Sequence, residues 1–373
     1  MPRTKPRISG RRKPEEATPR QLWLRGAPEP PAVPALSEQV LAIARHHLDR
    51  FASLEAKVLK GENAEAIHDI RVASRRLQQV LDLLYAPAPA RIRKLRRAIR
   101  RCRKALSLVR NCDVLAERAA RVLKRKRVRR RPAWEAFQEY LAARRTRCFR
   151  KAIRRLEKLN LPGIYIQLRK ELEGLREALP SVAPAGGGTA PLAADLDAAL
   201  RQRLGAALQE TWQGLESSLR QAREQREARL LHAVRIAGKK TRYLIEVIHR
   251  LGAPDSQRPL QYLRRLQQQL GDWHDLEVQE EMMLEMVAGS GMLRERLELA
   301  MEVERLVLQN RRRKRRYEER FWETAGSSER WEHLNEWVRA FLAASPPQPS
   351  RKPAQSIRWL ASSHHLRAGK LHR

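Results

Sequence analysis

The sequence predicts an all-α protein built from two helical halves. Apolar residues recur at three- and four-residue spacing through nearly every segment, among abundant Leu, Ala, Arg, Glu and Gln, and strand-like alternation is absent. A Gly- and Pro-rich break at 180–191 divides the chain. The sequences on either side of this break repeat each other at an offset of 164 residues, from His68 to His232. Together these observations indicate an internal duplication of a helical unit.

In chain order, five segments follow from these patterns. Residues 1–34 and 346–373 are basic, with little periodicity and several prolines, and are interpreted as flexible tails. The first helical half is predicted over 35–179 and the second over 192–345, joined by the linker at 180–191.

Composition and net charge indicate the kind of partner and disfavour several classes of protein. Among 373 residues, 77 Lys and Arg face 42 Asp and Glu, which gives a net charge of +35 and a pI of about 11.3. Because like charges repel within a compact fold, we expect a polyanionic partner. No apolar run approaches membrane-spanning length and no signal-peptide pattern is present, so membrane insertion and secretion are disfavoured. Three cysteines are too few for a disulfide framework, which favours a reducing cytoplasm.

The duplication is supported by two separated matches in one register. The first aligns the His-led segments 67–84 and 231–248. The second superposes two arginine pairs, Arg100 and Arg101 on Arg264 and Arg265. We include all four of these arginines among the expected anion-binding residues.

The first His-led segment separates a polar face from an apolar face. Since each helical residue turns by about 100°, the polar face gathers His68, Arg71, Arg75 and Gln79. The opposite, core-facing side contains Ile70, Ala73, Leu77, Val80, Leu81 and Leu84. No acid lies on the polar face to pair with its cations, so a merely solvated surface is a poor explanation. We therefore predict that this row, with the adjacent Arg76, binds an anion with evenly spaced charges.

The second His-led segment repeats this division. Its polar face holds His232, Arg235, Lys239 and Tyr243, with Arg242 at the edge and Lys240 aligned to Arg76. Its predicted core face contains Val234, Ala237, Thr241, Leu244, Ile245 and Ile248. The two copies thus present the same basic row.

A further basic stretch follows the first row. Between Arg91 and Arg131 there are 19 Lys or Arg and two acids. A second basic row at helical spacing is predicted from Arg93, Arg97, Arg100, Arg101 and Lys104. The run 124–131 has almost no apolar partners and is interpreted as a solvated loop or helix end.

The histidines leave a metal site open as an alternative. His68 and His232 lead the two rows, where an imidazole can donate to a phosphate oxygen. A metal site would require convergence of His68 with Asp113, or of His232 with His274 and Asp275. No tight ligand spacing supports it, so donation to an anion is the favoured interpretation.

These residues lie in motifs that resemble a known family. HDIRVASRRLQQVL, which begins at His68, resembles the signature of the CHAD domain, the conserved histidine α-helical domain. LSLVRNCDVL resembles the second signature of the family, with Ser107 in place of Gly and Asn111 in place of Asp. LHAVRIAGKKTRY and LGDWHDLEV resemble the later motifs. The resemblance extends over about 35–345.

The resemblance implies both a fold and a ligand. It implies two antiparallel four-helix bundles related by pseudo-twofold symmetry, with a basic cavity between them that binds inorganic polyphosphate. Many relatives carry an additional CYTH domain, whose alternating Glu-x-Glu-x-Lys strand is not found in this chain. We therefore expect a stand-alone, cytoplasmic binding module associated with polyphosphate granules.

Two alternative functions remain at this point. A net charge of +35 would also hold DNA or RNA nonspecifically, although few aromatic residues accompany the basic rows. A metal-dependent phosphohydrolase would need the His and carboxylate residues to converge. Since the chain has no Walker phosphate loop, HExxH, paired CxxC or GxSxG motif, we expect no catalysis and no cofactor.

Overall fold

A computed structural model describes residues 35–61, 63–177, 191–289, 291–326 and 328–344. Within these residues every regular element is a helix, which confirms the all-α class. The described residues form one compact unit. Both predicted tails and nearly all of the predicted linker lie outside the described residues.

Among its described residues, the first half contains seven helices. The helix with the first basic row begins after Asn63, whose side-chain oxygen accepts hydrogen bonds from the backbone N–H groups of Glu65 (2.9 Å) and Ala66 (3.0 Å). This N-cap fixes where the row starts. The helices are α1 (Leu36–Ser53), α2 (Glu55–Lys60), α3 (Ala64–Leu84), α4 (Ala90–Ala105), α5 (Ser107–Leu123), α6 (Arg131–Glu157) and α7 (Leu161–Glu177).

The second half contains six helices among the described residues. Two of them are unusually long, with 35 and 33 residues. The helices are α8 (Pro191–Gln225), α9 (Ala228–Arg250), α10 (Gln257–Gly289), α11 (Met292–Glu295), α12 (Leu297–Thr324) and α13 (Glu329–Ala344).

The core-facing sides of α3 and α9 are buried, as the periodicity predicts. On α3, Leu77, Val80 and Leu81 have no exposed area. Of the predicted core positions on these two helices, Leu84 and Ala237 are half-buried and pack against the same hydrophobic cluster. Both helices therefore turn their polar sides away from this core, which fixes the direction of the two basic rows.

Buried apolar residues form two clusters, and both clusters combine residues of the two halves. The larger cluster contains α1, α3 and α4 residues together with α8, α9 and α13 residues. The smaller one, the distal cluster, joins α5 and α6 to α10, α11 and α12 through residues such as Phe137, Leu141, Met282, Met286 and Val303. The two halves consequently pack as one unit. The internal duplication itself remains a prediction from the sequence.

Candidate functional site

The two basic rows approach each other between α3 and α9. Burial, together with the charges of Arg235, Arg75 and Arg71, lowers the pKa of Lys239 to about 7. Burial also lowers the pKa of Arg235, where the charge of Asp275 opposes the decrease and the charge of Arg75 adds to it. Because charges act this strongly only at short range, residues of α3 and α9 share one electrostatic environment. We call Arg75, Arg110, Arg235 and Lys239 the free cations of this region.

The free cations have no acceptor among the described residues. None of the four makes a hydrogen bond or ion pair there, although all are half-buried. The Nε atom of Arg235 is buried without a hydrogen-bond partner in that part of the chain. A buried donor without an acceptor destabilises the fold by about 1–3 kcal/mol. The arrangement can therefore accept an anion that brings several oxygen acceptors.

Two neighbouring arginines are instead held by a buried carboxylate. Glu246 on α9 pairs with Arg76 on α3 at 3.1 Å and accepts a hydrogen bond from Arg242 one turn before it. Arg242 also donates to the side chain of Gln267 on α10 at 2.7 Å. Glu246 thus links the two halves at the edge of the rows, and it neutralises part of the charge there.

Arg71 is held by α4 and α5. Its Nη1 atom donates to the carbonyl oxygen of Arg103 at 2.8 Å and to the hydroxyl oxygen of Ser107 at 2.7 Å. Burial, followed by the charges of Arg75 and Arg103, lowers the pKa of Arg71 to about 10. Ser107 stands where the family signature has Gly, and here its hydroxyl fixes the position of a predicted phosphate-binding arginine.

The second basic row is rotated relative to the sequence prediction. On α4, the residues that face α3 are Arg96, which pairs with Asp82, and Arg103, which donates to Gln78 at 3.1 Å. Arg100 lies near both of these pairs, because its charge contributes to the lowered pKa of Arg103 and opposes the increase that burial causes in the pKa of Asp82. All five members of the predicted row are exposed, and of these Arg100 lies closest to the site. The members are Arg93, Arg97, Arg100, Arg101 and Lys104.

The positive region continues along α5, where the sequence prediction named no site residue. Burial lowers the pKa values of His68 and Arg71 on α3, and the charge of Arg110 adds to both shifts. Burial raises the pKa of Asp275 on α10, and the charge of Arg110 is among those that oppose this increase. Arg118, two turns later, lies near Asp275 and Arg313, although burial is the main cause of its own lowered pKa. Arg103, Arg110 and Arg118 could have been found by continuing the spacing of Arg96 and Arg100 beyond α4.

The histidines lie at the ends of the rows. The rings of His232 and His274 are 5.6 Å apart, and burial, with the charge of Arg235 next, lowers the pKa of His274 to about 4. One carboxylate oxygen of Asp113 accepts a hydrogen bond from Arg145 at 2.5 Å. In the described ranges, no three His, Cys, Asp or Glu side chains are grouped as metal ligands would be.

The remaining predicted residues are placed as follows. Tyr243 is buried and its ring lies 4.5 Å from the guanidinium of Arg242. Lys240 and Arg264 are exposed on α9 and α10. Arg265 lines a separate groove between α10 and α13, together with Tyr262, Arg330 and His333.

Cysteine chemistry is absent from this region. Cys102 and Cys112 are buried, and burial raises the pKa of each thiol to about 12. These thiols remain protonated, so they pack as small apolar side chains.

A solved structure of a known protein has this fold. A crystal structure of the CHAD domain from the plant Ricinus communis superposes with a TM-score of 0.56 at 22% identity, covering 85% of this chain and 95% of that chain. PptA from Streptomyces chartreusis matches at 15% identity and a TM-score of 0.48, covering 83% of this chain and 100% of that one. The search of curated proteins gave no match.

Two further findings bear on the class of protein. None of the helices in the described part of the chain is long and apolar enough to cross a membrane. The sequence profile of the CHAD domain matches residues 42–284, which include both His-led segments and most of α10. With the helical fold and the paired basic rows, this match shows that the chain belongs to the CHAD domain family.

Proposed function

We propose that this protein binds inorganic polyphosphate non-covalently between its two helical halves, without catalysis. The observation that carries the proposal is the group of free cations, contributed by α3, α5 and α9 and half-buried without acceptors in the described structure. Such a group destabilises the unliganded fold, and an anion with closely spaced charges offsets that cost. The family resemblance supports polyphosphate as the particular anion.

The chemistry of polyphosphate suits this arrangement. Each phosphate unit offers oxygen acceptors that a guanidinium can bind with two parallel hydrogen bonds. A row that advances by about 5.4 Å per helical turn can meet successive phosphates of a flexible chain. Binding neutralises the free cations and releases counterions, so affinity decreases as salt increases.

The cations that already have partners within the protein, Arg71, Arg76, Arg103 and Arg242, have a different role in this proposal. Arg71 and Arg103 are fixed by Ser107 and Gln78, so they bind phosphate with little loss of side-chain entropy. Arg76 and Arg242 remain paired with Glu246 and limit the positive charge at the edge of the site.

Nucleic acid is the second candidate, supported by a different surface. Lys124, Arg125, Lys126 and Arg127 are all exposed between α5 and α6. This run can contact the backbone of duplex DNA, whose phosphates lie on the outside of a wide rod. We propose that such binding is weak, nonspecific and independent of the free cations.

The decisive experiment compares two variants with the same loss of charge. Arg75→Gln with Lys239→Gln removes two free cations, and Arg125→Gln with Arg127→Gln removes two exposed cations. In calorimetric titrations at about 0.15 M salt, we expect the first variant to bind long-chain polyphosphate roughly 100-fold more weakly. We expect the second variant to lose affinity mainly for duplex DNA. Equal losses for both ligands in both variants would contradict a specific site.

The absence of catalysis is tested separately. Phosphate release from polyphosphate is measured with Mg²⁺, Mn²⁺ or Zn²⁺ added, against a sample without protein. We expect no protein-dependent release, and release that the Arg75→Gln and Lys239→Gln variant loses would identify a phosphohydrolase instead. In cells, a fluorescent fusion is expected to colocalise with polyphosphate granules and to disperse when the two free cations are removed.

A further inference from the structure

One end of this strongly basic protein is acidic. Residues 280–304, at the end of α10, in α11 and at the start of α12, contain seven Glu and two Arg, a net charge of −5 in a chain of +35. Glu281, Glu295, Glu298 and Glu304 are exposed there. We call this region, extended to Leu308, the acidic tip; the extension adds the exposed Arg305, so that the whole tip has a net charge of −4.

The acidic tip also exposes large apolar side chains. Leu297, Met301 and Leu308 lie within about 40° of one another around α12. Their exposed fractions are 58%, 44% and 44%, beside Leu293 on α11 at 58% and Leu284 on α10 at 46%. Five of the nine large apolar residues exposed in the described chain are thus in this region. Apolar residues grouped in this way mark interaction surfaces, whereas scattered ones do not.

The surface is built on a fixed support. Beneath it, Met282, Met286 and Val303 are buried in the distal cluster. The α10 and α12 helices are further joined by Arg311, which donates to Glu280 at 2.8 Å, and by a 2.6 Å hydrogen bond from Asn310 to a backbone oxygen of α10. Leu284, one turn after Glu280, therefore lies on the side of α10 that adjoins α12. Leu297, Met301 and Leu308 therefore form an exposed apolar stripe on a fixed helix, with glutamates and Arg305 beside it.

The chain contains a sequence that complements this stripe. Residues 356–373, outside the described part, contain four Lys or Arg, three His and no acid. Apolar residues recur there at helical spacing, at Ile357, Leu360, Ala361, Ala368 and Leu371. We propose that the acidic tip binds residues 356–373 of a second copy of this chain, with these apolar residues on Leu297, Met301 and Leu308. The basic side chains then meet the glutamates of the tip.

The reach of the chain favours a second copy. Trp337 on α13 donates to the carbonyl oxygen of Pro254 at 2.9 Å, which places α13 beside the start of α10. The far end of the acidic tip is at the other end of α10, whose 33 residues span about 50 Å, whereas its near end, at Leu308, adjoins Leu276, about 30 Å along that helix. From Ala344 to Ile357 a fully extended chain covers about 45 Å. A segment could therefore lie along the tip of its own molecule only with these residues almost fully extended, a restriction that a second copy removes.

Sedimentation velocity of the full chain at about 0.15 M salt, without polyphosphate, tests this proposal. We expect the sedimentation coefficient to increase with protein concentration. Leu297→Ser with Leu308→Ser, the tip variant, and Leu360→Ser with Leu371→Ser, the segment variant, should each raise the dissociation constant at least about tenfold. A mixture of the two variants should associate again, because one supplies an intact segment and the other an intact tip.

A matched control has the same chemical change at exposed apolar positions elsewhere. Leu59→Ser with Ile166→Ser, exposed by 42% and 52%, should associate like the unmodified protein. A chain that stays monomeric at every concentration would overturn the proposal. So would a segment variant that associates normally, since the tip would then bind another surface. This proposal does not depend on polyphosphate binding.

Discussion

Apart from the larger hydrophobic cluster, the two halves of the protein meet in two chemically opposite regions. Between α3, α5 and α9, the contact is made of half-buried cations, four of which have no acceptor in the described structure. Between α5, α6, α10 and α12, the contact is the distal cluster, with Phe137, Leu141 and Val303 fully buried. The first region destabilises the fold and the second stabilises it. Stability and ligand binding are therefore separated in space.

This separation has a physical basis. Burying apolar surface contributes roughly 25 cal/mol per Å² without any requirement for a partner molecule. Cations that face each other are unfavourable until an anion arrives, so they cannot hold two halves together on their own. A rigid apolar contact nearby keeps the cations in place while the anion is absent. Substitutions in the two regions should consequently have opposite effects.

The largest expected effect on stability is in the distal cluster. Phe137 has no exposed area and lies against Trp134. Phe137→Ala should lower the free energy of unfolding by about 3–5 kcal/mol, through lost apolar contact and a cavity. Guanidinium unfolding measures this change. Met301→Ala, at a position 44% exposed, should change it by less than about 0.5 kcal/mol. Under conditions where Phe137→Ala is folded, its affinity for polyphosphate should equal that of the unmodified protein. A loss of affinity in this variant would show that the two regions are coupled.

A smaller effect is expected at the carboxylate between the two rows. Glu246→Gln removes the charge partner of Arg76 and Arg242, so we expect a loss of about 1–3 kcal/mol in the free energy of unfolding. The released arginines add positive charge near the site, and polyphosphate affinity should rise severalfold. Chemical unfolding and calorimetric titration give the two values. A decrease in affinity would mean that Glu246 positions the arginines for the ligand.

The free cation Lys239 should show the reverse pattern. Burial and its cationic neighbours lower its pKa to about 7, which means that its charged form is unfavourable in the fold. Lys239→Gln should therefore raise the free energy of unfolding by about 1 kcal/mol at neutral pH, and should weaken polyphosphate binding about tenfold. Lys170→Gln, at an exposed position on α7, is the control for loss of one charge. A lower free energy of unfolding in Lys239→Gln would contradict the claim that the charged form of Lys239 is unfavourable in the fold.

The smallest effect is a pH dependence of binding. Bound polyphosphate favours the ammonium form of Lys239 and returns its pKa towards the ordinary value, so binding takes up a proton above pH 7. Affinity should fall roughly fivefold from pH 7 to pH 8.5. The stability of the unliganded protein should change with pH in the opposite direction. Because the unfolded chain binds the proton of Lys239 more tightly than the folded chain, the free energy of unfolding rises with pH above 7.

Calorimetry in two buffers of different ionisation enthalpy measures the proton uptake. Lys239→Arg keeps the charge over this range and should remove most of the pH dependence. An unchanged pH profile in that variant would assign the dependence to another group.

Much of the fold was predictable from the sequence, since it depends on local periodicity. The spacing of Leu77, Val80 and Leu81 predicted the buried side of α3, and these residues are fully buried. On α4, however, the spacing of the basic residues was compatible with either of two faces lying against α3. Contact with Asp82 and Gln78 selects the face with Arg96 and Arg103 over the face with Arg97 and Lys104. The rotation of a helix whose surface is cationic on several sides is set by its neighbours.

The helical class, the two His-led rows and the excess of positive charge follow from residue identity and spacing alone. Which cations are free depends on the packing of distant parts of the chain. Arg75 and Arg76 are neighbours in one predicted basic row, yet Arg76 is paired with Glu246, a residue 170 positions away, and Arg75 is not. The acidic tip likewise requires that α10 and α12 pack side by side. Acceptors and apolar neighbours distant in the chain give otherwise similar residues different electrostatic energies, and periodicity carries no information about them.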